Sequence, residues 1–414
     1  MQKLLPFVLL PLLVSMTAST ESHTTLPSEW RFVLASPGGE LPFLVRFEGE
    51  GSELRSTIHN GSEVIPVGST VLDGNQLTLH VTPYDSELRA EVSEDGSRLT
   101  GIWTKSLGGD QRTQLPLTGS SVVRDRFPLV KLSSEQQQQL DGRWSVKFDS
   151  DENLSVGTFA TSADGSLRGT FETTLGDYRF LAGTFDGKQL RLSCFDGGHA
   201  FLFHAQLTPT GELAGDFWSR DVWHENWTGR KDPNAKLADP FGLTTWNSDV
   251  SLGDLSFPDL EGKLRALDDP AFAGQARIIS LFGTWCPNCN DEARFLAGLD
   301  ERYGKRGLSI LGLAFELDND FERSCRMVRR FKKAHSANYP VLIAGESNKT
   351  KASQAFTALD RVRAYPTAIF LDRHNKVRAI HTGFSGPATG PAYEHMSDRY
   401  QTLIEQMLAE GDGK

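Results

Sequence analysis

The chain has 414 residues, too many for one ordinary hydrophobic core, so two or three domains are expected. Its formal net charge is −10 at pH 7, and the sequence contains no long basic run. Because a protein that binds nucleic acid needs a basic face, the composition argues against nucleic acid as a partner.

Residues 1–19 have the pattern of an export signal. Lys3 provides a positive start, residues 4–14 are apolar, and small residues follow at 17–19. The apolar stretch is shorter than the roughly 20 residues that span a bilayer. We therefore expect an exported protein, periplasmic after cleavage, in a compartment where disulfides persist. An uncleaved N-terminal membrane anchor is the alternative.

An internal repeat is predicted for residues 27–231. Segments 30–33, 72–79 and 95–103 recur at 144–147, 185–192 and 210–218, at an offset of about 114 residues. Within each copy, short alternating segments are separated by Asp-Gly or Gly-rich turns, which is typical of a β-meander. In the second copy, Leu190, Leu192 and Cys194 alternate and so should share one apolar face.

These patterns predict a multidomain chain with duplicated antiparallel β units, barrel-like meanders at residues 27–124 and 140–231. Each is expected to be a small sheet or partly open barrel of six to eight strands, unless the two pair into one larger barrel or sandwich. Residues 125–139 and 231–235 are expected to be linkers. A packed spacer or docking module is the favoured role, and recognition of a partner, lipid or glycan is the alternative.

A Cys-x-x-Cys motif lies between an apolar run and a helical pattern. Residues 278–282 are the kind of run that a strand covered on both faces shows, and apolar residues recur at helical spacing from 293 to 303. Cys286 should therefore begin a helix, where free backbone N–H groups and the helix dipole favour a thiolate. Cys289 could close a reversible disulfide with it. No second Cys or His cluster follows, so a redox pair is favoured over a zinc site.

The segment from about residue 249 onward resembles the thioredoxin superfamily, most closely the exported TlpA/ResA-like thiol–disulfide oxidoreductases. The resemblance depends on residues 257–263, similar to an opening hairpin, on the turn at 283–289, and on residues 364–372, similar to the strand after the cis-proline of the family. It implies an α/β thioredoxin-like redox domain at residues 240–412. It also implies recharging by a membrane thiol donor, and no cofactor.

The resemblance also assigns roles around the dithiol. It implies that Pro366 is cis and lies against the cysteines, that the backbone of Tyr365 pairs with an incoming chain, and that Glu292 assists proton movement. Trp285 and Pro287 flank Cys286 and complete the predicted substrate-binding residues. One departure is that the proline that often follows this glutamate in the family is absent, so the helix could lack a kink there.

Other candidate residues have simpler interpretations. Cys194 and Cys325 are expected to be buried and inert, since free cysteine behaves as a small apolar residue. The histidines lack the spacing of a metal site, so no metal is predicted; they are His199, His204 and His224, with His381 left without a role. Residues 383–390 are expected to form a rim loop beside Pro366 rather than a phosphate loop.

The sequence thus predicts an exported thiol–disulfide oxidoreductase that reduces disulfides in protein substrates. Cys286 is the expected exposed nucleophile, and Cys289 is the expected resolving thiol. Thr284 lies two residues before Cys286 rather than the three typical of a peroxiredoxin threonine, which disfavours a peroxidase. The remaining alternative is an envelope binding or scaffold protein whose β units recognise a ligand and whose dithiol senses redox state.

Overall fold

A computed structural model describes residues 26–82, 84–123, 125–274 and 276–412. The export signal expected at residues 1–19 lies outside the described residues. Within the described ranges, no helix is both long and apolar enough to cross a bilayer. The architecture is multidomain, with two antiparallel β-sheets followed by a mixed five-stranded sheet and its helices.

The first antiparallel sheet is an open half-barrel. Its strands are β1 (Glu29–Ser36), β2 (Gly39–Glu48), β3 (Arg55–Asn60), β4 (Glu63–Pro66), β5 (Ser69–Asp73), β6 (Gln76–Val81), β7 (Ser86–Val92), β8 (Arg98–Gly108) and β9 (Gln111–Ser120). They pair in the order β4-β3-β2-β1-β9-β8-β7-β6-β5, so the prediction of six to eight strands is wrong here. The short edge strands β4 and β5 contain no buried residue, and so they lack the apolar alternation that marks a strand in the sequence.

The second antiparallel sheet closes on itself. After helix α1 (Ser134–Leu140) its strands are β10 (Gly142–Phe148), β11 (Ser155–Thr161), β12 (Ser166–Thr173), β13 (Gly176–Asp177), β14 (Leu181–Phe185), β15 (Gln189–Phe195), β16 (Ala200–Leu207), β17 (Glu212–Ser219) and β18 (Trp223–Lys231). The order is β11-β10-β18-β17-β16-β15-β14-β12-β13, and pairing of β11 with β12 joins eight of the strands into a barrel. The two-residue β13 only extends β12.

The half-barrel completes its core with the outer wall of the barrel. On β15, Leu192 and Cys194 face the barrel interior, as their alternation predicts, while Phe195 points the other way into the core of the half-barrel. Phe195 packs against Phe43 and Trp103, with ring centroids 4.3 and 5.2 Å apart. Burial on both faces explains why the second half of this strand, residues 192–195, is buried without interruption.

The segment at residues 125–139, predicted to be the linker between the two units, is hydrogen-bonded to both of them. Arg126 is half-buried and hydrogen-bonds to Ser193 of the barrel and to His59 and Asn60 of the half-barrel. Helix α1 follows, with a capping box formed by Ser133. The polar groups of the segment therefore satisfy one another across the junction between the units.

The C-terminal domain has a thioredoxin-like fold, which confirms the predicted fold class. Its elements are β19 (Ser256–Pro258), β20 (Leu264–Ala266), β21 (Ala276–Phe282), α2 (Pro287–Tyr303), β22 (Leu308–Glu316), α3 (Phe321–His335), β23 (Val341–Glu346), α4 (Lys349–Ala355), β24 (Thr367–Asp372), β25 (Val377–Thr382) and α5 (Pro391–Asp412). The sheet order is β23-β22-β21-β24-β25, with β21, β22 and β23 parallel and β24 and β25 antiparallel to their neighbours. The central strand β21 is buried throughout, and it leads directly to Cys286.

Candidate active site

Cys286 is the N-cap residue of helix α2, as the sequence predicts. Its Sγ accepts a hydrogen bond from the backbone N–H of Cys289 at 3.3 Å, and Pro287 occupies the first helical turn. Both thiols are free. The Tyr365–Pro366 peptide bond is cis, and Sγ of Cys286 lies 3.4 Å from the carbonyl oxygen of Tyr365. The motif and the cis-proline therefore meet at one edge of the sheet.

The expected exposure of Cys286 is wrong. Its exposed fraction is only 6 %, and that of Cys289 is 1 %. Cys286 belongs to the core of its own domain, and the barrel covers the turn that carries it as well. Gly198 of the barrel is so close to the ring of Pro287 that a Cβ added to it would lie 2.7 Å from Cγ of the proline. The sequence of the redox domain alone could not show that the β units cover its nucleophile.

Glu292 lies on the buried side of helix α2, one turn beyond Cys289. Burial raises the pKa of Glu292 to about 8. A hydrogen bond from Ser280 Oγ to Oε2 of Glu292, at 2.5 Å, acts in the opposite direction but is outweighed. Its Oε1 is buried without a hydrogen-bond partner among the described residues. Burial also raises the pKa of Cys289 well above its ordinary value, and Cys286 and Glu292 raise it further. A buried thiol thus adjoins a carboxyl group with a free oxygen.

Trp285 and Tyr365 form an aromatic wall beside Cys286. The two rings pack edge to face with centroids 5.7 Å apart, and Nε1 of Trp285 donates to the carbonyl of Phe315 at 3.0 Å. Tyr365 is buried, and Pro366 beside it is buried too. All the residues predicted for the site therefore lie around the dithiol, and their roles remain predictions.

Two further groups, which sequence reasoning missed, fix the active-site turn. Glu316, at the end of β22, accepts from the backbone N–H and the hydroxyl of Thr284, at 3.0 and 2.7 Å. Asn290 donates to the carbonyl of Cys286 at 2.8 Å, and its own oxygen lies 2.5 Å from Nε2 of His335. The sequence did contain a signal for Glu316, because an acidic residue ends the buried apolar run of β22. The carboxyl ends of neighbouring parallel strands share one edge of the sheet, so this residue could have been placed beside the active-site turn.

The barrel also contacts the residues between the two cysteines. Nδ2 of Asn288 donates to Asp177 at 3.2 Å, and the same oxygen of Asp177 accepts from the backbone N–H of Gly386 at 2.5 Å. Burial raises the pKa of Asp177 to about 7, and the nearby charge of Asp291 acts in the same direction. One carboxyl group of the barrel therefore holds both the Cys-x-x-Cys turn and the rim loop.

Arg179 joins all three parts of the chain. Its guanidinium pairs with Glu63 of the half-barrel, with Asp196 of the barrel at 3.0 Å, and with Asp291 of helix α2. It also donates to the carbonyl of Pro287 at 3.2 Å. Burial acts to lower the pKa of Arg179, but the three carboxylates outweigh it and hold the pKa above its ordinary value. Nothing in the sequence around Arg179 indicated this cluster.

The remaining candidates lie away from the dithiol or pack around it. Cys194 and Cys325 are buried as predicted, in the barrel interior and on helix α3. His381 is buried against Tyr400, with Tyr400 Oη 3.2 Å from its Nδ1. The loop at residues 383–390 lies beside Pro366 as expected, since the N–H of Gly383 donates to the carbonyl of Pro366 at 2.9 Å. No group of three potential metal ligands occurs among the described residues.

Comparison with known proteins identifies this domain. Residues 229–396 match the Redoxin family. The C-terminal part of the chain is a redoxin domain. It is similar to the thiol-disulfide oxidoreductase ResA of Bacillus thuringiensis, with 31% identity over 29% of this chain and 60% of the relative. It is also similar to ResA of Geobacillus thermodenitrificans, with 28% identity over 31% of this chain and 66% of that relative.

The chain thus spans about 60% of the length of the first curated relatives, and the similarity covers the redoxin domain and not the β units. Among solved structures, a thiol:disulfide interchange protein of the thioredoxin family from Chlorobium tepidum has 20% identity and a TM-score of 0.28. That alignment covers 37% of this chain and 92% of the other.

Proposed function

We propose that this protein is an exported thiol–disulfide oxidoreductase that reduces disulfides in protein substrates. The observation that carries the proposal is the arrangement of Cys286 at the start of α2, 3.4 Å from the carbonyl of Tyr365, with Cys289 and the buried Glu292 behind it. The similarity of the redoxin domain to proteins named thiol-disulfide oxidoreductase ResA supports this reaction class.

In the first step the Cys286 thiolate attacks one sulfur of the substrate disulfide. The substrate S–S bond breaks, a Cys286–substrate disulfide forms, and the released substrate sulfur leaves as a thiolate that takes a proton from water. At the start of helix α2 the backbone N–H of Cys289 donates to Sγ of Cys286 at 3.3 Å, and this hydrogen bond stabilises negative charge on the attacking sulfur. Trp285 and the backbone of Tyr365 would hold the incoming chain.

In the second step Cys289 attacks Cys286 and releases the second substrate thiol. Because Cys289 is buried and its pKa is raised, it must lose its proton to a nearby base. Glu292 is the candidate, since its unpartnered Oε1 can accept that proton whenever the group is ionised. A pKa of about 8 means that a minority of molecules hold the carboxylate at pH 7, but that carboxylate is a stronger base than an ordinary one. The dithiol gives two electrons to the substrate and becomes the Cys286–Cys289 disulfide.

The proposal includes the organisation predicted from the sequence: an export signal at residues 1–19, repeated β units at 27–124 and 140–231, and the redox domain at 240–412. The three pairs of similar segments support the repeat, since they fall on corresponding strands and hairpins of the two sheets. A periplasmic location and recharging by a membrane thiol donor follow from the same reading of the sequence.

Trapping of mixed disulfides tests the reaction. A Cys289→Ser variant should accumulate covalent adducts with substrate proteins that dithiothreitol releases, whereas Cys286→Ser should form none. Purified full-length protein should also reduce insulin disulfides at a rate above that of dithiothreitol alone. A protein that traps no partner and reduces no model disulfide would instead support the alternative of a redox-sensing binding or scaffold protein.

A further inference from the structure

Cys286 lies at a cleft whose walls come from the half-barrel, the barrel and the redoxin domain together. This cleft has a volume of about 380 Å³ and contains Cys286 in its wall. Its other walls come from strand β8, from the turns after β12, β15 and β17, and from the start of α4. A cleft of this size accommodates a small molecule or one extended segment of chain, but not the face of a folded domain.

Three cationic side chains line the cleft: Lys105 of the half-barrel, Arg220 of the barrel and Lys349 of the redoxin domain. None of the described residues that line it carries a carboxylate. Three positive charges in one recess raise the local concentration of anions, because the low-dielectric walls strengthen the field inside it.

These cations are not neutralised within the protein. Lys105 is buried, and its Nζ donates to the neutral carbonyl of Gly198 at 2.7 Å. Arg220 and Lys349 form no ion pair within 4 Å in the part of the chain that the structure describes. The carboxylate beside Arg220 is Asp221, which accepts a hydrogen bond from Thr113. Asp196, which attracts Lys105, is already paired with Arg179 and His199.

Lys105 is also close enough to Cys286 for their charges to interact. Burial lowers the pKa of Lys105 to about 8, and Arg220 lowers it further, while Asp196 and Cys286 act in the opposite direction. At neutral pH Lys105 is thus mostly protonated, and both residues lie in the wall of the same cleft.

We propose that this cleft binds carboxylates that a substrate carries close to its disulfide, so that the enzyme prefers anionic disulfides. The inference rests on the proposed function and specifies its substrate class. Arg220 and Lys349 attract the carboxylates, and Lys105 holds a negative charge beside the sulfur that Cys286 attacks. The carboxylates can belong to a free low-molecular-weight disulfide or to an extended acidic segment of a protein.

Three small aliphatic disulfides of similar size test the charge preference. The reduced full-length protein is mixed with 3,3′-dithiodipropionate (two carboxylates), bis(2-hydroxyethyl) disulfide (neutral) or cystamine (two ammonium groups). Each rate is divided by that of the same disulfide with dithiothreitol, which corrects for the leaving thiol. We expect a normalised preference for the dianion over the dication of about tenfold or more at low ionic strength, and a smaller one in 0.5 M salt.

Variants connect the preference to the cleft. Arg220→Gln and Lys349→Gln should each reduce the ratio several-fold, while Lys376→Gln, which removes an exposed lysine of the same domain, should leave it unchanged. Equal normalised rates, or a ratio that the cleft variants do not alter, would overturn the inference. Failure to react with all three disulfides would instead contradict the proposed function.

Two cystine-linked peptides distinguish the sources of the carboxylate. An acidic peptide that reacts faster than the small dianion identifies a protein segment, and the reverse order identifies a free small disulfide. Either result supports the inference, provided that the acidic peptide reacts faster than a basic peptide of equal length. A basic peptide that reacts as fast or faster contradicts it.

Discussion

Replacing Glu292 by Gln should stabilise the protein in a strongly pH-dependent way. The side chain is 1 % exposed, and burial raises its pKa from 4.5 to about 8. Gln preserves the shape and can still accept the hydrogen bond from Ser280, but it carries no charge to bury. The variant isolates the free energy that the wild-type protein loses by burying this acid.

The magnitude follows from proton linkage. An acid whose pKa is higher in the folded state binds more protons there, so its contribution to stability is largest below pH 4.5 and falls as the pH rises to about 8. At pH 7, which is 2.5 pH units above the unfolded-state pKa of 4.5, the stability lost through Glu292 is about 3 kcal/mol. Glu292→Gln should recover that amount at pH 7 and little at pH 4.5.

Circular dichroism at 222 nm follows the relevant unfolding, because every described α-helix except the short α1 lies in the redoxin domain. For a domain of this size about 3 kcal/mol corresponds to roughly 6–12 °C in Tm. The Tm difference between Glu292→Gln and the reduced wild-type protein should therefore increase steadily from pH 5 to pH 8. Glu301→Gln, on the exposed side of the same helix, is the control. Parallel pH profiles for wild type and Glu292→Gln would refute the reasoning.

Three other perturbations concern the contacts between the barrel and the active site. Arg179→Met removes the cation that three carboxylates share, and it leaves Glu63 unpaired, Asp196 with His199 alone and Asp291 with Arg294 alone. The free energy of unfolding, measured by thermal melts, should therefore fall by about 3–5 kcal/mol. Gly198→Ala places a methyl group 2.7 Å from Cγ of Pro287, which should separate the barrel from the site and increase the iodoacetamide alkylation rate of Cys286 several-fold. Asp177→Asn removes a buried acid with a pKa of about 7, so its gain in Tm should be larger at pH 8 than at pH 5.

Each of these three predictions has a matched control variant or a result that would contradict it. Gly298→Ala adds the same methyl group to open space on helix α2 and should not change the alkylation rate. Arg191→Met removes an arginine from the exposed face of β15 and should change Tm little. An Arg179 variant as stable as wild type, or an Asp177 variant whose gain is the same at both pH values, would contradict the assigned contacts.

The sequence by itself determined the local features of the redoxin domain. An apolar run between Ala276 and Phe282, the Cys-x-x-Cys motif and the helical spacing that follows are short-range patterns, and each specifies its element without knowledge of the rest of the chain. The same is true of the alternation of Leu192 and Cys194 in the barrel wall. Glu292 could also be located, because its distance along the helix from Cys289 is fixed.

Only the tertiary structure decided what surrounds the thiol. Arg179 is 112 residues from Asp291 in sequence and still bonds to it, and Lys105 reaches the carbonyl of Gly198 across 93 residues. No periodicity encodes such pairs, since they depend on how the half-barrel, barrel and redoxin domain pack together. For this reason the nucleophile that was expected to be exposed lies in a cleft, and cationic residues from all three parts of the chain line that cleft.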